Sequence, residues 1–95
     1  MRSSGHADKK KSSEALLDMA LAIRTRRKAL ALTQVELSHL AGCGPVFVYD
    51  VEQGKGTLRL DKLLQVLNVL GLELLLQPGK RRFVVAEALR EPEAR

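Results

Sequence analysis

The central stretch Thr33–Glu52, TQVELSHLAGCGPVFVYDVE, constrains the fold of this chain more than any other. Thr33 and Glu36 have the spacing of a capping box. The Thr33 hydroxyl can accept from the Glu36 N–H while the Glu36 carboxylate reaches back to the Thr33 N–H. Leu32 and Leu37 flank the cap as a hydrophobic staple. Leu37, Leu40 and Ala41 then give an apolar stripe at helical spacing. Gly42 ends that helix, because the residue after a helix usually takes positive φ and only glycine does so freely. Gly44 caps a second helix. Pro45 suits its first turn, where no N–H is needed. Val48 and Val51 turn the second helix back towards the first. The pattern is two short helices joined by a tight glycine-containing turn.

With these residues in place, the stretch resembles the DNA-binding helix-turn-helix unit of the Xre/Cro family of phage and bacterial repressors. The family's first helix of the pair opens on Leu-Thr-Gln, matched by Leu32-Thr33-Gln34. The Ala41-Gly42 pair, an apolar Cys43 before the second helix, and an ending of Glu52, Gly54 and Lys55 match as well. The resemblance implies a lambda-repressor-like bundle of four to five helices. It also implies a structural ion pair between Arg27 and Glu52, tying the first helix to the end of the recognition helix. The bland alternative is an ordinary two-helix hairpin in a small bundle.

A length of 95 residues favours one domain with a modest core. With no Trp, one Tyr and two Phe, that core must be aliphatic. The net charge of +5 favours an anionic partner, nucleic acid first. A single cysteine excludes an internal disulfide and cannot build a metal cluster; Cys43 reads as a small core hydrophobe. No apolar run approaches a membrane span of ~20 residues and no secretory segment stands out, so a cytoplasmic protein is expected.

Residues 1–13, with Lys9, Lys10 and Lys11, read as a disordered arm. The expected core domain is 14–77, and 78–95 form a tail. Ser13 can cap a helix over 14–30, with Leu16, Met19, Ala20, Ile23 and Leu30 on its stripe and Arg27 inside it. Glu14 and Asp18 early and Arg24, Arg26 and Lys28 late suit the helix dipole. Those bases serve either the dipole and solubility or a patch facing a phosphate backbone. Residues 53–57 are a loop. A helix follows over 59–70, its stripe being Leu60, Leu63, Leu64, Leu67 and Leu70, and Gly71 ends it.

In 72–77, Leu72, Leu74 and Leu76 alternate with Glu73, Leu75 and Gln77, which favours a strand. A lone strand needs a partner. One solution is its own copy across a two-fold axis, with Leu72, Leu74, Leu75 and Leu76 at a dimer interface. The other is a hairpin with Arg81–Val85 across Pro78-Gly79. A strand at this point resembles the HipB branch of the family, antitoxins whose C-terminal strand makes a dimer sheet. That resemblance covers Leu16 to Gln77. The tail, with Phe83, Val84 and Val85 among charges, reads as a short helix, a hairpin strand, a segment ordering on a partner, or a frayed terminus.

No catalytic constellation, metal set or cofactor motif appears, so no enzymatic activity is expected. His6 lies in the arm and His39 on an outer helix face. The resemblance implies that the helix Pro45–Glu52 enters the major groove of a palindromic operator, read by a dimer. Thr33 and Gln34 would meet a phosphate at the start of the preceding helix. Gly44, Pro45, Val46, Phe47, Tyr49 and Asp50 would face the groove, and Lys55 a phosphate. The family usually has polar residues at the positions of Pro45 and Val46. Here both are apolar, so readout would rest on contact and shape. The competing reading is a dimeric protein-binding module that neutralises a HipA-like kinase toxin with little DNA affinity. The two roles can coexist in an antitoxin that represses its own operon.

Overall fold

The computed structural model describes the backbone of residues 2–80 and 84–90, with side chains over 14–80 and 84–89. Among the described residues five helices follow in order: α1 (Arg2–Ala29), α2 (Gln34–Ala41), α3 (Pro45–Glu52), α4 (Leu60–Leu70) and α5 (Glu87–Arg90). α2 packs on α3 and α4, and α1 lies against α3, α4 and α5. Met19 and Ile23 of α1 meet Leu37 and Ala41 of α2, Val48 and Val51 of α3, and Leu63, Val66, Leu67 and Leu70 of α4. This core is wholly aliphatic but for one thioether. Each such side chain contributes about 1.5–3 kcal/mol on full burial.

The four longer helices end alike. In each, a residue of positive φ bonds back three residues, and the next residue bonds back five. At α1 these bonds are Ala31 N–H to Lys28 O at 2.9 Å and Leu32 N–H to Arg27 O at 3.1 Å. At α2, Gly42 reaches His39 at 3.3 Å and Cys43 reaches Ser38 at 3.0 Å. At α3, Gly54 reaches Val51 and Lys55 reaches Asp50, both at 3.1 Å. At α4, Gly71 reaches Asn68 at 3.2 Å and Leu72 reaches Leu67 at 2.8 Å. After α1, α2 and α4 the second residue, Leu32, Cys43 or Leu72, drops against the core. After α3 it is Lys55, which stays exposed.

At the α1 end the positive-φ residue is not glycine but Ala31, with φ 59°. An L side chain in that region costs roughly 1–2 kcal/mol, partly offset by the chain entropy a glycine would lose. Ala31→Gly should therefore stabilise the protein by about 0.5–1 kcal/mol, raising the thermal midpoint by a few degrees. An unchanged or lower midpoint in a melt would contradict this account.

The structure departs from the sequence expectations in several places. α1 begins at Arg2, so the backbone of 2–13 continues the helix and Ser13 is internal rather than a cap. Gly5 and the serines weaken helix in that stretch, while Arg2, Ala7 and Lys9–Lys11 favour it. Leu30 falls beyond α1 and is exposed. In α2, Leu40 is exposed and Ser38 is buried instead. Ser38 tolerates burial because its hydroxyl donates to the Val35 carbonyl at 2.7 Å. In α4, Leu60 and Leu64 are exposed and Val66 takes a core position.

No strand forms among the described residues. Leu72 is seated by the turn at Gly71, while Leu74 and Leu75 are exposed and Leu76 is 98% exposed. Within one chain this segment has no edge to pair with, so no ladder forms. The hairpin alternative is not formed in the described part of 81–85: Val85 packs against the core just ahead of α5, while residues 81–83, including Phe83, lie outside the described residues. The tail thus returns as a short helix on α1.

Candidate nucleic-acid interface

The site is built on α2 and α3. The capping box forms as its residues dictate: the Glu36 N–H donates to Thr33 Oγ1 at 3.0 Å, and the Thr33 N–H donates to Glu36 Oε1 at 2.8 Å. The first bond internal to α2 runs from the Leu37 N–H to the Thr33 carbonyl. The Gln34 and Val35 N–H groups therefore belong to the unpaired first turn, which favours an anion. Gly44 precedes α3 in an extended conformation and Pro45 occupies its first turn.

One carboxylate fixes how these helices meet. Glu52, at the end of α3, accepts from Arg27 Nε at 2.7 Å and Arg27 Nη2 at 3.0 Å. It also accepts from Gln34 Nε2 at 3.0 Å. Arg27 Nη1 donates to the Leu32 carbonyl at 2.8 Å. The side chains of Arg27 and Glu52 are only 9% and 2% exposed. The hydrogen bond to Glu52 raises Arg27 above the usual arginine range, against the opposing effect of burial. A single node thus joins the end of α1, the start of α2 and the end of α3. Gln34, expected at a phosphate, is held in this node by its amide, which retains one further N–H for a phosphate.

The outward face of α3 carries Pro45, Val46 and Tyr49, with Val46 71% exposed. Phe47, expected at the groove, is partly buried and packs against the core. Asp50 is half-buried and pairs with Lys55, Nζ to Oδ2, at 3.4 Å. Gln53, the C-cap of α3, is exposed one turn beyond Tyr49 and is a polar candidate that the sequence reading passed over. The helical spacing Val46, Tyr49, Gln53 was the available signal. Cys43 is half-buried in the turn, and burial pushes its thiol pKa up, which makes it a poor nucleophile.

The bases divide into two groups. Arg26 does not face outward as a free charge: its Nε donates to the Leu70 carbonyl at 2.8 Å, capping the end of α4. Arg59 pairs with Asp61 at 2.6 Å, which holds Asp61 below the usual carboxylate range. Arg24 and Lys28 are exposed on α1. Among the described residues no group of acids, histidines or cysteines is placed to hold a metal, and no helix is long and apolar enough to cross a membrane.

Residues 23–76 match the model of the Helix-turn-helix family, a span that takes in the last quarter of α1, all of α2 to α4 and the exposed Leu74, Leu75 and Leu76. The chain belongs to the Xre/Cro-like helix-turn-helix family. It is also similar to a protein of Sinorhizobium fredii named as the uncharacterized HTH-type transcriptional regulator y4mF. The two are 44% identical over 66 residues, covering 68% of this chain and 87% of the relative.

Proposed function

We propose that this protein is a sequence-specific DNA-binding transcription regulator, acting as a dimeric repressor and not as an enzyme. The observation that carries the reading is the node at Glu52. It uses a buried ion pair to tie α3 to α1 and the Gln34 amide to tie α3 to α2, fixing the helix arrangement that a groove-reading helix needs and a simple hairpin does not. α3 would lie in the major groove, with Val46 against a thymine methyl and Tyr49 and Gln53 supplying polar reach. The first turn of α2 would hold a phosphate, and Lys55 another. A bandshift series against the region upstream of its own gene, at several salt concentrations, tests this. Specific affinity should exceed non-specific affinity by at least ~10³. A ratio near one at every salt would overturn it.

Dimerisation would use 72–77. Leu74, Leu75 and Leu76 are exposed on a segment whose two flanks, Leu72 and Val85, are both anchored on the core. Pairing with a second copy would cover them and supply the missing ladder. Leu74→Pro removes a ladder donor and should shift the sedimenting species from dimer towards monomer. A stable monomer of the unmodified protein would refute the dimer. The antitoxin role, with a HipA-like kinase as toxin, rests on the resemblance of this segment to the HipB branch. It requires that a co-expressed kinase-like neighbour co-purify with the chain.

A further inference from the structure

α3 is the one longer helix whose terminal turn is followed by a charge instead of an apolar anchor. The Lys55 N–H bonds the Asp50 carbonyl at 3.1 Å, and the Lys55 ammonium sits 3.4 Å from the Asp50 carboxylate. The backbone bond holds the two residues together, so the ion pair forms with little added ordering. The pair is also weak and open: the side chains are 53% and 28% exposed, and exposed pairs at such a distance contribute little. Asp50 lies one helical turn from Val46, on the edge of the outward face. The other carboxylate of α3, Glu52, is buried and fully engaged. Asp50 is therefore the one negative charge that α3 would carry into a groove.

We infer that Asp50 and Lys55 form an exchangeable latch that makes Asp50 a specificity-determining residue for the DNA-reading function proposed above. Off DNA, Lys55 neutralises Asp50. On DNA, Lys55 transfers to a phosphate and leaves the carboxylate facing the base edges. There it is satisfied only by an exposed amino donor, that of cytosine in the major groove being the natural partner. On other sequences the carboxylate is left unpaired beside phosphates, so non-specific binding is penalised. The lysine and the aspartate thus act as one unit: the lysine supplies affinity, and its departure arms the aspartate to discriminate.

The test is site selection from a randomised DNA pool, followed by titrations with the unmodified protein, Asp50→Asn, Lys55→Met and the double variant, with a thermal melt of each. The unmodified protein should select cytosine at one position of each half-site. Asp50→Asn should tighten non-specific binding by roughly five- to tenfold, since one charge facing phosphates is removed. It should also lower the specificity ratio by about tenfold or more and move the preferred base from cytosine to adenine, which a carboxamide can bind through two hydrogen bonds. Lys55→Met should reduce the slope of log affinity against log salt by about 0.9. The double variant should depart from the sum of the singles. Unchanged base preference and strictly additive effects, in a protein that keeps a specificity ratio above ~10³, would overturn the latch alone. A ratio near one for the unmodified protein would overturn the DNA-reading function and the latch with it.

Discussion

Glu52→Ala is expected to destabilise the protein by about 3–5 kcal/mol, the usual cost of stranding one partner of a buried ion pair. The substitution leaves the Arg27 guanidinium, nine-tenths buried, without its carboxylate. It also removes the acceptor for Gln34 Nε2 and loosens three helix ends at once. For a domain of this size each kcal/mol moves the thermal midpoint by about 4–8 °C, so a fall of at least ~12 °C should be read in a melt. Arg27→Met strands the carboxylate and should cost a similar amount. The double variant Arg27→Met with Glu52→Leu should be far less damaged than the sum, since no unpaired charge remains. Its residual loss should be about 1–2 kcal/mol, from the unfilled acceptor at the Leu32 carbonyl and the released Gln34 amide. A melt in which the two single losses simply add would refute the node as an ion-paired unit.

The same node shows where the sequence was legible and where it was not. The cap at Thr33, the turns at Gly42 and Gly71 and the proline start of α3 are chemistry between residues a few positions apart. They can be read without knowing the fold, and the structure has each of them. The pairing of Arg27 with Glu52 spans 25 positions; it came from resemblance to a family and not from local physics. Arg26 shows the limit. Its bond to the Leu70 carbonyl spans 44 positions, and nothing in the sequence separates that arginine from its neighbours Arg24 and Lys28. Leucine-rich helices hide their own orientation. α4 has leucines at 60, 63, 64, 67 and 70, and the helical period fits more than one stripe; packing against α1 and α2 selects Leu63, Val66, Leu67 and Leu70. Ala31 shows the converse case, a helix terminator with none of the usual punctuation. Its positive φ is imposed by Leu32 entering the core and by Arg27 holding the Leu32 carbonyl.

The outward face of α3 was legible as apolar, but not how it is supported. Phe47 turns inward, which leaves Val46 as an apolar side chain well exposed on the helix. Because Val46 is 71% exposed, its replacement should leave folding nearly unchanged. Val46→Asp should keep the thermal midpoint within a few degrees while lowering DNA affinity by roughly 100-fold or more, since like charges brought together at an interface cost several kcal/mol. Moderate salt would soften the loss only partly, because a carboxylate inside the groove is screened less than one in open solvent. Val46→Gln runs the other way. It offers adenine a two-bond partner and should shift base preference at one position by ~1–3 kcal/mol without a large change in non-specific binding. The two variants together separate a helix that reads bases from one that only rests on the backbone. In the first case Val46→Asp abolishes operator binding and Val46→Gln re-addresses it. If Val46→Asp binds as the unmodified protein does, with both folded, α3 does not enter the groove.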